Sequence, residues 1–347
     1  MTHEQPRPQA PAASPPPRRG PFRWAILLGK CLVLALVVWG IHRTAIGAWS
    51  DLEQQGFGAA RPDAAWLVAA AGLYLAGLFP SALFWHQVLW RLGQRPSLGE
   101  AVRAYYIGHL GKYVPGKALV IILRTGLIRG TRVNTALAAV SVFYETLTMM
   151  SVGAFLAAAI LVVWLPDQRG LLLLACLLSL AAGLPTLPPV LDRLVRWGGK
   201  TRLAAIASEG LRPLGYGTLG RGWVLIGCGW LLAGGSLWAV LKAAGYTQPG
   251  QGLAELAVCT SAAALAVVAG FVSLIPGGLV VREAVLLGLL AAHFERAEAL
   301  VSAVLARLVW LVAEVLISGI LYVGGRFHRR ELGPREQRGS GPRSGAT

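Results

Sequence analysis

Apolar residues in this chain fall in long uninterrupted runs, not at alternate positions, which predicts helices rather than strands. Trp24 to Ile41, Ala64 to Trp90, Asn134 to Leu165, Gly170 to Val190, Gly222 to Leu241, Leu253 to Ile275 and Ala299 to Val323 each approach or exceed the roughly 18 to 20 residues that cross about 30 Å of hydrocarbon. Leu279 to His293 is about 15 residues and marginal as a span. The expected fold is all-α: a polytopic helical membrane protein with six to eight transmembrane helices and one or two broken or re-entrant helical hairpins. Residues 1–21, rich in Pro and Arg, and the basic tail 326–347 have too little apolar content to build a core. Both are expected to be disordered cytoplasmic tails flanking one membrane domain, 22–325.

Charge then supplies orientation. Of 347 residues, 55% are hydrophobic and 14% charged, yet 32 Lys and Arg face 16 Asp and Glu, a formal +16. In a soluble chain that excess would suggest nucleic acid; the apolar runs overrule that reading, and no nucleic-acid partner is expected. Most of the basic residues gather in 91–133, 191–221 and the two tails, while the alternate loops carry few. Basic loops are retained on the cytoplasmic side, so both termini should be cytoplasmic and the number of crossings even. Eight spans fit if Leu279 to His293 crosses; six fit if Leu253 to His293 enters and leaves on one face. The multi-pass chain is expected in the cytoplasmic membrane.

Catalytic and cofactor chemistry finds little support. Cys31, Cys176, Cys228 and Cys259 all lie in apolar runs, the six histidines are scattered, and there is no HExxH, DxD, GxSxG or P-loop. No catalytic residue, metal or cofactor is expected, and the chain is not expected to be an enzyme.

Two segments are too polar or too broken to be ordinary spans. Residues 101–124 carry Arg103, His109, Lys112, Lys117 and Arg124 around Pro115-Gly116, where proline removes a backbone donor and glycine relaxes the dihedrals. They read either as an amphipathic helix on the cytoplasmic surface or as a re-entrant hairpin whose broken tip lines a polar cavity. A second break, Pro276-Gly277-Gly278, is followed by Arg282-Glu283 and describes either a short solvent loop or a second such tip. Each break precedes, by about 30 residues, an apolar helix with an internal charge: Glu145 in the first case and Arg307 in the second. The two breaks stand 161 residues apart, an offset that superposes Ser141 on Ser302 and puts Glu145 beside Arg307. This reads as an internal duplication with broken helices meeting near the midplane, or as chance similarity of two apolar helices.

A charge in mid-helix costs on the order of 2.5 to 3.5 kcal/mol to insert, so Glu145, Arg307 and Glu314 are expected to face protein or water. They either pair with one another, Glu145 or Glu314 with Arg307, or form a polar path; Arg282 and Glu283 read equally as a local pair. The tryptophans, among them Trp66, Trp85, Trp90 and Trp223, lie near span ends and read as interfacial anchors.

Both broken segments resemble the family named for the transmembrane region of lysylphosphatidylglycerol synthase, a flippase-like membrane domain. The first runs from Arg103-Ala104-Tyr105-Tyr106-Ile107-Gly108 through Tyr113-Val114-Pro115-Gly116-Lys117 to Arg124; the second is Ile275-Pro276-Gly277-Gly278-Leu279-Val280-Val281-Arg282-Glu283, followed by the helix of Arg307. The resemblance implies movement of a lipid between leaflets, here by a stand-alone form without a synthase domain, with a phospholipid or a polyprenyl-linked sugar as cargo. Arg124, Glu145, Arg282, Glu283 and Arg307 are then the candidate substrate-binding residues, and anionic or phosphate-bearing lipid headgroups the expected ligands. The rival reading is a scaffold or accessory subunit partnered with an envelope glycosyltransferase or lipid-modifying enzyme.

Overall fold

The computed structural model describes residues 62–113, 118–128, 133–197, 214–273 and 279–332, with isolated helical positions between 35 and 50. The N-tail 1–21, all of the run Trp24 to Ile41 but Ala35 and Trp39, the residues after Leu332 and both Pro-Gly breaks (Pro115, Gly116, Pro276, Gly277, Gly278) lie outside the described residues, whereas 326–332 of the expected disordered tail continue the last helix. What is described is helical, without a strand. In chain order the helices are α1 (Ala64–Arg91), α2 (Leu98–His109), α3 (Ala118–Ile128), α4 (Thr135–Trp164), α5 (Arg169–Gly183), α6 (Pro188–Trp197), α7 (Tyr216–Ala243), α8 (Gly252–Val272), α9 (Leu279–Leu290) and α10 (Arg296–Leu332). Among the described residues, six helices are long and apolar enough to cross a membrane: α1, α4, α5 with its 3₁₀ extension to Thr186, α7, α8 and α10 up to Gly324. Their large outward side chains, such as Val68, Val163, Val224 and Ile320, are the surface that lipid chains cover.

Helix starts are written locally. Asp63 caps α1 by accepting from the Ala65 N–H at 2.8 Å. Asn134 caps α4 by accepting from Ala136 and Leu137 at 2.8 and 3.3 Å. Ser97 and Glu100 form a reciprocal capping box at α2, which satisfies two of the four donors a helix start leaves unpaired.

Packing reveals the duplication. Helices α3 and α9 begin 161 residues apart, as do α4 and α10, whereas α1 and α7, both 28 residues long, begin 152 apart. The neighbours match under that exchange: α2 packs on α10 as α8 packs on α4, α1 on α10 as α7 on α4, and α3 on α4 as α9 on α10. Where α1 crosses α7, the contacts are reciprocal. A Cβ on Gly229 would stand 2.6 Å from the Gly77 carbonyl oxygen, and one on Gly77 would stand 2.9 Å from the Gly229 carbonyl oxygen. One side of this crossing brings Ser236 to donate to the Ala70 carbonyl at 2.7 Å, and the other presses Phe84 against Gly222; both pairs obey the 152-residue step. Such self-complementary contact is the mark of a two-fold axis. Positions rising along α1 meet positions falling along α7, so the helices are antiparallel and the axis lies across them, in the membrane plane. These are inverted-topology repeats, α1–α4 and α7–α10, joined by α5 and α6.

The two hairpins re-enter. The end of α1 is tied to the start of α4 by the Asn134 N–H, which donates to Gln94 Oε1 at 2.6 Å, so α2 and α3 leave and return on one face. Tyr246, after α7, packs against Val301 and Val304 at the start of α10, so α8 and α9 do the same on the other face. Helices α2, α3 and α9 have 12, 11 and 12 residues, about 18 Å each at most, too short for about 30 Å of hydrocarbon. Of the two readings of 101–124, the surface helix fails: Ala101, Ala104, Tyr105 and Arg124 are buried. At 253–293, α9 is too short to cross, whereas α8, with 21 residues, is long enough.

Candidate functional site

Each buried charge has found a partner on another element. Arg124, on α3, donates from Nη1 to Glu145 Oε2 on α4 at 2.6 Å, and both side chains are at most 4% exposed. The Tyr105 hydroxyl donates to the other carboxylate oxygen at 3.0 Å. Above this pair the Arg124 guanidinium lies 3.8 Å from the Tyr105 ring centroid and 5.6 Å from that of Trp85, a cation–π arrangement that partly replaces lost hydration. Gly108 makes the approach feasible, since a Cβ there would overlap the Arg124 side chain. Trp85 is fully buried and donates to Ser141 Oγ at 2.9 Å, so it is no interfacial anchor: its ring roofs an ion pair.

The second cluster surrounds Glu314 on α10. Its carboxylate accepts from the Tyr74 hydroxyl, from Lys112 Nζ and, at 2.9 Å, from the Tyr113 hydroxyl, while His109 Nε2 stands 3.6 Å away. Tyr74 stacks on Trp310 with centroids 4.9 Å apart, and Trp310 donates to Ser236 Oγ at 2.9 Å. Arg282 lies over the other aromatic partner of this stack, 5.1 Å from the Trp310 ring centroid.

These arrangements correct the pairings expected from the sequence. Arg307 pairs with neither Glu145 nor Glu314; its Nη1 meets Glu283 at 2.5 Å. Arg282 and Glu283 are not a local pair, because one turns to Trp310 and the other to Arg307. Lys112, Tyr74, Tyr105, Tyr113, His109 and Trp310 were not among the candidates. Lys112 stands out in the sequence as a charge in an apolar segment, and Tyr105 and Tyr113 lie within the first family-like segment without a role of their own, but no sequence pattern marks Tyr74.

Both hairpins deliver their residues to one cavity of about 140 Å³ beside the crossing of Gly77 and Gly229, hence near mid-depth. Its charged lining is Lys112, Arg124, Glu145 and Arg282; Glu314 sits behind Lys112. The two carboxylates are matched by Arg124 and Lys112. No carboxylate lies within ion-pair distance of Arg282 among the described residues. The half-buried Arg282 therefore leaves the cavity with one positive charge in excess, set for an anion. The described residues contain no group of His, Cys, Asp and Glu able to hold a metal.

The sequence family described as Lysylphosphatidylglycerol synthase TM region matches residues 26–318. The chain belongs to this family. The match takes in both repeats and both hairpins, and with the six apolar helices it makes the protein a multi-pass membrane protein. No curated protein matches the chain.

Proposed function

We propose that this family member carries a phosphate-bearing lipid headgroup across the cytoplasmic membrane through the mid-depth cavity, with the acyl or prenyl chains remaining in lipid. The carrying observation is the surplus guanidinium of Arg282, presented into a cavity at the meeting point of two re-entrant hairpins. Inverted repeats with discontinuous helices at their interface supply the two openings, related by the two-fold axis, that alternating access needs. A lipid phosphate bound by Arg282 gains charge-assisted hydrogen bonds and neutralises the surplus charge. Transport is favoured over group transfer because Glu145 and Glu314 are both engaged in ion pairs.

The test is headgroup crossing in proteoliposomes. Fluorescent phosphatidylglycerol in the inner leaflet becomes accessible to an external quencher if the protein moves it. Crossing well above that of protein-free vesicles supports the reading, and crossing equal to theirs for both phosphatidylglycerol and polyprenyl phosphate sinks it.

A further inference from the structure

A second basic site lies far from the cavity, where α1 ends and α7 begins. A groove of about 470 Å³ is lined by Arg91 and Arg95 from the α1 end, Arg221 and Thr218 from the first turns of α7, and His86 and Trp90. Its aromatic wall is fixed in place: Trp90 Nε1 and His86 Nε2 stand 3.1 and 3.2 Å from the Pro96 carbonyl oxygen, and Arg95 stacks 4.4 Å from the Trp90 ring centroid. None of the three arginines has a carboxylate within ion-pair distance among the described residues. The first turn of α7 adds backbone donors, since Gly215 at its cap has no side chain to satisfy them.

The inverted repeat supplies an internal control. Stepping by 152 residues carries His86 to Trp238, Trp90 to Lys242 and Thr218 to Trp66, and replaces the three arginines by Ala243, Thr247 and Ala69. At that opposite end Trp66 packs edge-on against Trp238, and Lys242 closes over both rings at 4.3 and 4.9 Å. One end of the α1–α7 pair is therefore sealed by aromatic packing, while the equivalent end is open and carries three unneutralised guanidiniums. Packing needs do not account for that difference, because the sealed end shows how this geometry is filled without a ligand.

We propose that the arginine groove is a phosphate-binding site on the cytoplasmic face, separate from the transport cavity, and that it takes a ligand carrying at least two negative charges, a phosphate monoester or a diphosphate. Exposed Trp90 and Tyr216 beside it offer a lipid's glycerol region the amphipathic contact that aromatic side chains give at a membrane surface. The site does not depend on the chain being a lipid transporter.

Native mass spectrometry of the full chain in detergent, titrated with phosphatidic acid, phosphatidylcholine or sodium pyrophosphate, tests this. Wild type should hold phosphatidic acid at least about tenfold more tightly than the triple variant Arg91→Gln, Arg95→Gln, Arg221→Gln, with Arg95→Gln alone intermediate. The symmetry-related control Lys242→Gln, at the sealed end of the α1–α7 pair, should leave this binding unchanged. Tighter retention of phosphatidic acid than of pyrophosphate identifies a membrane lipid as the ligand, and the reverse a soluble phosphate; either one, lost in the triple variant, supports the site. Equal binding by wild type and the triple variant, or phosphatidylcholine bound as tightly as phosphatidic acid, overturns it.

Discussion

The two repeats hold hairpin-to-helix ion pairs of opposite polarity. In the first, the cation (Arg124) sits on the returning arm of the hairpin and the carboxylate (Glu145) on the long helix that follows; in the second, the carboxylate (Glu283) is on the hairpin arm and the cation (Arg307) on the long helix. The first pair is sealed, 4% and 1% exposed, under Tyr105 and Trp85, whereas the second is 17% and 44% exposed. Each repeat thus ties its hairpin to its long helix by a charge pair, but the 161-residue step carries Arg124 to Val285 and Glu145 to Ala306, so the pairs differ in register as well as in sign and burial. The lesson is mechanical. A sealed pair ties its hairpin arm to its long helix more strongly than a half-exposed pair does.

The largest expected effect breaks this comparison at its strong end. Removing one partner of a buried pair leaves an uncompensated charge and costs about 3–5 kcal/mol, so Glu145→Ala should lower thermal stability in detergent steeply. Glu283→Ala, at the solvated pair, should cost about 1 kcal/mol or less. Comparable losses from the two variants would show that the pairs are mechanically equivalent.

The two-fold axis can be tested through reciprocity. Because Gly77 and Gly229 each face the other's carbonyl, Gly77→Leu and Gly229→Leu should destabilise by similar amounts, about 1–3 kcal/mol by overpacking. A large inequality would contradict a symmetric crossing.

A smaller effect separates two serines related by the 161-residue step. Ser141 accepts from Trp85, but the position equivalent to Trp85 is Leu237, which has no donor, and the buried Ser302 hydroxyl is left without a partner. Ser141→Ala should therefore cost about 1 kcal/mol, and Ser302→Ala should be neutral or stabilising. Opposite signs in a denaturation series confirm the contrast; equal losses refute it.

Much of this was legible in the sequence because membrane spans announce themselves by length, and because Pro-Gly breaks and lone charges stand out against an apolar background. Runs expected at Ala64 to Trp90 and Asn134 to Leu165 became α1 and α4 nearly unchanged, and the 161-residue offset between two breaks located the repeat. Partnership was not legible. Lys112 and Glu314 are 202 positions apart, and whether Arg307 meets Glu145 or Glu283 depends on which way a hairpin folds back, a tertiary fact no local pattern carries. Trp85 was misread for a related reason: an indole near the end of an apolar run looks the same whether it faces headgroups or a neighbouring serine 56 positions away. The antiparallel crossing of α1 and α7 escaped notice because their 152-residue step differs from that of the other helices, the intervening connections having different lengths.

The account rests most heavily on the unmatched guanidinium at mid-depth. Its direct test is the rate at which fluorescent phosphatidylglycerol and phosphatidylcholine cross proteoliposome membranes containing wild type or Arg282→Gln at equal protein density. Wild type should move the anionic lipid faster than the zwitterionic one, and Arg282→Gln should lose most of that advantage, at least about tenfold in rate if one charge-assisted contact is removed, while remaining folded. Crossing of phosphatidylglycerol by Arg282→Gln at the wild-type rate would contradict a phosphate site in this cavity.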